Sequence, residues 1–184
     1  MEPITILKTI IILEDFVNYI KNRRRRASPP KTAVINFRDE NKKGVERDVW
    51  EVPIDLLLYR KDNGRISSDV ASYEKLYGPL LEKDNNTQKI LASFLDKKDP
   101  ELTEILVKSL SHSGQNSPAI ITSDGFLING NRRKLALERT QFPTMKVVIL
   151  PGINDEGGPP TLLEIEQIEN RYQFVTTGKA EYYN

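Results

Sequence analysis

The chain has 184 residues, enough for one well-cored domain with a short appendage. With 38% hydrophobic and 29% charged residues it reads as a globular protein in water, and a formal net charge of +1 leaves no overall field to draw it to nucleic acid or an anionic membrane. It has no cysteine and one histidine, which excludes disulfides, thiolate nucleophiles and thiolate metal sites and argues against a histidine-rich metal centre or a serine–histidine triad.

In chain order, Ile6, Ile10, Leu13, Val17 and Ile20 recur at spacings of three and four, which predicts one amphipathic helix over Ile4–Arg26; a strand over Ile10–Leu13 competes. Glu14, Asp15 and Asn18 interrupt the apolar residues and the arginines follow them, the wrong order for a signal peptide. No apolar run reaches membrane-spanning length, so a cytoplasmic protein with no membrane partner is expected. Arg23, Arg24, Arg25 and Arg26 end the helix before the break Ala27-Ser28-Pro29-Pro30. They are candidates for gripping a nucleic-acid backbone, although such a run is more often a solvated helix end. Residues 1–30 thus read as an N-terminal helix and basic run, and residues 31–184 as the main domain.

Residues Thr32–Phe37 predict a strand, with a charged turn over Arg38–Gly44 and a hairpin partner in Val45–Val52. Val52–Leu58 reads as a strand running into a turn that contains Asn63-Gly64-Arg65. Ser67–Lys98 is polar and helical, broken at Gly78-Pro79 and at Asp84-Asn85-Asn86. Asp99-Pro100-Glu101 is a helix start, an N-cap followed by proline at the first helical position. That helix ends at Ser111-His112-Ser113, where His112 is expected in solvent. Ile120, Ile121 and Phe126–Ile128 flank Asp124-Gly125, a strong hairpin signal. Gly130 follows, then Asn131 as the expected N-cap of a helix over Arg132–Thr140. Arg132 and Arg133 stand in the first turn, where the helix dipole disfavours cations unless an anion arrives. A strand, a glycine, backbone N–H groups and two guanidinium forks are the parts of a phosphate site. Taken alone, so short a pattern is as well explained by two solvated arginines. Met145–Leu150 predicts a further strand and Pro151–Pro160 a Gly/Pro-rich loop. Thr161-Leu162-Leu163-Glu164 is a capping box. Beyond it Glu166, Glu169, Asn170 and Gln173 share a polar side.

The ordered set of motifs resembles the N-terminal domain of the ParB family, within the ParB/sulfiredoxin superfamily. The resemblance covers roughly Val52 to Gln173 apart from residues 67–98. It is carried by Asn63-Gly64-Arg65, by Gly114-Gln115 and Pro118, by the hairpin, by Gly130-Asn131-Arg132-Arg133 with Ala136, and by Ile168-Glu169-Asn170. It implies an α+β fold, a small mixed sheet with flanking helices. Residues 67–98 would be a helical insertion that covers the nucleotide site or forms a homodimer or protein-partner face. It implies that Gly130, Asn131, Arg132 and Arg133 hold the phosphates of CTP or ATP, with Arg65 as a further contact. Gln115 and the loop to Pro118 would meet base or ribose. Glu169 and Asn170 would hold Mg2+, with Glu169 the catalytic candidate. Two departures stand out. Asn131 occupies the place of the family's usual acidic residue and of the cysteine that sulfiredoxins use, and Arg171 follows Asn170 at once where the family has two intervening residues. Because ParB partition proteins continue into a helix-turn-helix and a dimerisation domain, whereas this sequence stops at Asn184, no sequence-specific DNA reading is expected.

Three functions follow as expectations. The first is a nucleotide-binding switch or slow nucleoside triphosphatase in DNA-associated processes such as partition, plasmid or phage maintenance, or defence. The second is a metal-dependent DNA nuclease, which would draw on Glu166 and Glu169. The third is a degenerate module that has lost turnover and binds a protein or DNA.

Overall fold

Alternation of apolar side chains in a few short segments sets the centre of the molecule. The computed structural model describes residues 10–38 and 45–175. Its strands are β1 (Arg25–Arg26), β2 (Thr32–Ile35), β3 (Val45–Asp48), β4 (Trp50–Pro53), β5 (Ala119–Ile121), β6 (Leu127–Asn129) and β7 (Thr144–Ile149). Its helices are α1 (Glu14–Arg23), α2 (Ser67–Tyr77), α3 (Asn85–Lys98), α4 (Pro100–Ser113), α5 (Asn131–Leu137) and α6 (Leu162–Val175). Five strands form one sheet in the order β1-β4-β7-β5-β6, while β2 and β3 make a separate hairpin. The β5–β7 pair is parallel and the other pairs are antiparallel, so the class is mixed α+β. No helix among the described residues is long and apolar enough to cross a membrane.

Strands β5, β6 and β7 are largely buried on both faces, and their side chains alternate between two cores. Ala119, Ile121, Leu127, Met145 and Val147 face one core with Leu91 and Leu95 of α3, Leu106 and Leu110 of α4, and Ile20 of α1. Ile120, Ile128 and Val148 face the other, with Ile165 and Ile168 of α6 and with Ile35 of the hairpin. Val147 and Val148 are neighbours on opposite faces and both are fully buried, worth about 1.5–3 kcal/mol each. The polar side of α6 explains why its apolar residues stop at one stripe.

Several expected elements appear where local signals placed them. Asp99 caps α4 by accepting from the Leu102 N–H at 2.9 Å. Thr161 and Glu164 bond reciprocally at the start of α6, the hydroxyl accepting from the Glu164 N–H at 3.2 Å and the carboxylate from the Thr161 N–H at 3.1 Å. The break at Gly78-Pro79 and Asp84 separates α2 from α3.

Other expectations are corrected. Within the described part of Ile4–Arg26, the helix runs only from Glu14 to Arg23; residues 4–9 lie outside the described residues. Ile10–Leu13 is extended without joining a sheet, and the Leu13 N–H donates to the buried Asp124 carboxylate at 3.0 Å. Arg25 and Arg26 leave the helix because pairing with Glu51 and Trp50 of β4 outweighs helix propensity. The predicted partner strand Val45–Val52 divides at the buried Val49, so that β3 stays in the hairpin and β4 crosses into the main sheet. Of the charged turn Arg38–Gly44, residues 39–44 lie outside the described residues. Gly130, not Asn131, is the N-cap of α5, and the helix closes at Leu137 rather than Thr140. Gly130 has φ +95°, and a Cβ there would lie 2.6 Å from the Ala119 Cβ, so only glycine lets α5 start this close to β5.

Candidate functional site

A strap from Leu58 to Ile66 carries two arginines across the front of the sheet. Leu58 joins it to the β5–β6 turn, donating to the Gly125 carbonyl and accepting from the Leu127 N–H, each at 2.9 Å. The insertion fixes the next residues. The Gln88 side-chain amide brackets Tyr59, accepting its N–H at 2.8 Å and donating to its carbonyl at 3.1 Å. The Lys61 N–H donates to Glu82 at 3.0 Å, and the Lys61 ammonium donates to Glu74 at 2.6 Å. Asn63 is buried, and its side-chain oxygen accepts from the Arg65 N–H at 2.9 Å, an Asx turn that aims the chain into α2.

Arg60 and Arg65 then meet two other elements. Arg60 donates to Glu169 of α6 at 2.7 Å, both side chains being about nine-tenths buried. Arg65 lies close enough to Arg132 of α5 for its charge to act there. Burial first, and the Arg65 charge second, push the Arg132 guanidinium below its usual range, with Asp99 and Asp96 opposing. The Arg65 charge is thus felt at Arg132 of α5 although the whole insertion separates the two arginines in sequence.

The motif residues at α5 turn inward. Arg132 is buried and braces α5 on α4, donating to the Asp99 carbonyl at 3.0 Å and the Thr103 hydroxyl at 2.9 Å. Its Nε and the Oδ1 of buried Asn131 are without a hydrogen-bond partner. Arg133 is also buried and donates to the Ser117 carbonyl and, at 2.8 Å, to the Asn129 side chain. No carboxylate joins these contacts, and burial lowers the Arg133 pKa to about 10. Gln115 is buried and completes the edge of β7. Its side-chain oxygen accepts from the Lys146 N–H at 2.7 Å, and its NH2 donates to the Lys146 carbonyl at 2.8 Å and the Ser117 carbonyl at 2.9 Å. Pro118 is half-buried at the entry to β5. Arg133 and Gln115 therefore shape the 114–118 loop from behind, rather than standing open as guanidinium and amide contacts. Arg65, half-buried, is the charged group left for a ligand here, since the unpartnered Asn131 Oδ1 and Arg132 Nε are themselves buried. A depression of about 380 Å³ lies at the other end of α5, where Leu137 and Glu138 face Ile54 and Pro143.

The α6 residues sit differently from the expectation of a metal site. Glu169 is engaged by Arg60, and burial, the largest influence, pushes its carboxyl above the usual range. Arg60 opposes that shift, while Glu166 and Asp62 add to it. Asn170 is exposed, and the side chains of Arg171 and Gln173 lie outside the described residues. Among the described residues no three Asp, Glu, His or Cys side chains gather as a metal-binding group. A carboxylate already held by a buried guanidinium does not fit magnesium.

The arginine run is partly neutralised in place. Arg23 pairs with Asp55 at 3.6 Å and Arg26 with Asp48 at 3.1 Å, all four side chains well exposed. Arg24 and Arg26 lie over the Trp50 ring, 4.0 and 5.2 Å from its centroid, and Arg25 stands opposite Glu51. These contacts lock the edge strand to β4 and spend much of the run's charge locally.

Arg60, Gln88 and Glu82 were not singled out by sequence. Arg60 carried one faint signal, a cation directly after the apolar run ending at Tyr59. The others act through contacts distant in the chain. Compared with known proteins, the chain has no match among family models, curated proteins or solved structures.

Proposed function

We propose that this chain is a ParB-like nucleotide-binding domain of the ParB/sulfiredoxin superfamily, taking CTP or ATP and acting as a switch or slow nucleoside triphosphatase in DNA-associated processes. The observation that carries the reading is the Arg65 charge acting on the buried Arg132 across the insertion. Two guanidinium groups whose like charges act on one another, Arg132 donating to a carbonyl and a hydroxyl rather than to a carboxylate, are stabilised by an anion with several acceptor oxygens. The family resemblance names that anion as a nucleoside triphosphate. Glu169, already paired with Arg60, takes no part in holding the nucleotide through magnesium.

Calorimetric titration with CTP, ATP and GTP tests the proposal. Arg65→Ala is the informative variant, because Arg65 is half-buried and its guanidinium has no part in bracing α5. Saturable binding of one nucleotide, weakened about tenfold or more by Arg65→Ala, is expected for loss of a charge-assisted contact. No heat from folded protein with any of the three would refute the reading.

A second reading is favoured by the inward placement of Gln115, Arg132 and Arg133. It makes the chain a non-catalytic module whose motif residues now hold structure, with the insertion as the partner-binding face. Leu76, Tyr77 and Leu81, at 74%, 72% and 61% exposure, are large apolar side chains left uncovered there. Stable folded protein that binds no nucleotide would support it.

A further inference from the structure

We infer that Arg60 is the resident cation of Glu169 and closes this carboxylate to divalent metal, so that the site takes its anionic ligand without magnesium. The ligand half of this inference rests on the nucleotide reading; the metal half stands on geometry alone. Arg60 and Glu169 meet at 2.7 Å, with side chains 9% and 10% exposed. A carboxylate that deep needs a counter-charge, and the guanidinium supplies one through a short, directed N–H. A divalent ion on the same carboxylate would sit beside that guanidinium with little water to screen the two positive charges. Magnesium also requires a near-octahedral oxygen shell and keeps several waters, which a site walled by Arg60 on one side does not give.

Arg60 is buried and its guanidinium is held by Glu169. Its neighbours are pinned on both sides, Tyr59 by the Gln88 amide and Lys61 by Glu82 and Glu74. Asp62 and Glu166 reach Glu169 only through charge, and no three acidic side chains converge there among the described residues. The insertion therefore does more than cover the strap. It holds the cation that takes the metal's place.

The experiment uses the full chain and Mn2+ as an electron-spin-resonance probe, followed by titration with ATP and CTP in EDTA and in Mg2+. Wild-type protein is expected to show no saturable Mn2+ binding that Glu169→Gln removes. Arg60→Met, which leaves Glu169 unpaired, is expected to show saturable Mn2+ binding that adding Glu169→Gln removes, and no such binding by folded Arg60→Met would overturn the role given to Arg60. Should Arg60→Met fail to fold, the comparison of wild type with Glu169→Gln still decides. Saturable Mn2+ binding to wild type that Glu169→Gln abolishes would overturn the inference. Nucleotide affinity is expected to agree within about twofold in the two buffers, whereas a tenfold or greater loss in EDTA would overturn the ligand half. Absence of binding in both buffers would sink the nucleotide reading and the ligand half with it, and the Mn2+ arm would decide the metal half by itself.

Discussion

Gly130 shows how one residue serves both the fold and the candidate site. Its backbone has φ +95°, and the space a side chain would need is filled by the Ala119 Cβ at 2.6 Å. Gly130→Ala is expected to destabilise the protein by about 2 kcal/mol or more, from the left-handed backbone and the forced separation of α5 from β5. A urea midpoint unchanged within error would show that α5 can start elsewhere. Glu82 supports a prediction in pH. Burial is the main cause that raises its carboxyl above the usual value, with the Lys61 N–H opposing. A raised pKa means that the folded state keeps its proton to higher pH than the unfolded chain. Stability from this group therefore falls as pH rises from the unfolded pKa through the folded one, and the cost is fully present at neutral pH. Glu82→Gln keeps an oxygen to accept the Lys61 N–H. It should raise Tm at pH 7 and leave Tm unchanged at a pH below the ordinary Glu value; a lower Tm at pH 7 would show that the charge is favourable there.

At the scale of elements, what the sequence made legible was what is decided within a few residues. The caps of α4 and α6 follow from side chains bonding to nearby backbone, and the break after α2 and the Asp-Gly turn from Gly78 and Gly125 at positive φ. Thr161→Ala, which removes one half of the reciprocal cap on α6, should cost about 1 kcal/mol in a denaturation experiment, and a loss below a few tenths would mean the Arg38 contacts to Glu164 hold the helix start without it. Elements decided at long range were misread. Helix propensity at Arg25 and Arg26 gives no sign that Trp50 and Glu51 wait as partners. Val49 looks like any residue in an alternating strand, yet it is where the chain passes from one sheet to the other. Asn131 has the side chain of an N-cap, but the crowding of β5 against α5 gives that position to Gly130.

Across the whole molecule, the candidate site was legible as a set of motifs but not as a set of contacts. Arg132 and Arg133 read as free forks because composition cannot say which guanidinium will be consumed by Thr103, Asp99, Ser117 and Asn129. Arg60 was passed over because its partner, Glu169, lies 109 positions away. The strap that places Arg60 and Arg65 is held by the insertion, and Gln88 is the central fastening, with a third bond to the Glu82 carbonyl at 2.9 Å. Removing it leaves the Tyr59 N–H and carbonyl without their partner, a cost of about 1–3 kcal/mol for a buried polar group. That cost falls on the strap, because β5 keeps its ladders with β6 and β7 and its packing on both cores. Gln88→Ala should therefore speed amide hydrogen exchange across residues 59–66 while the Ile120 and Ile121 amides remain protected, and Arg65 should lose its fixed approach to Arg132. Nucleotide affinity, if the proposed function holds, should drop with it although Gln88 is remote from α5. Equal acceleration across strap and sheet would mean instead that the insertion and the sheet open as one unit, and that the strap has no separate part in placing the two arginines.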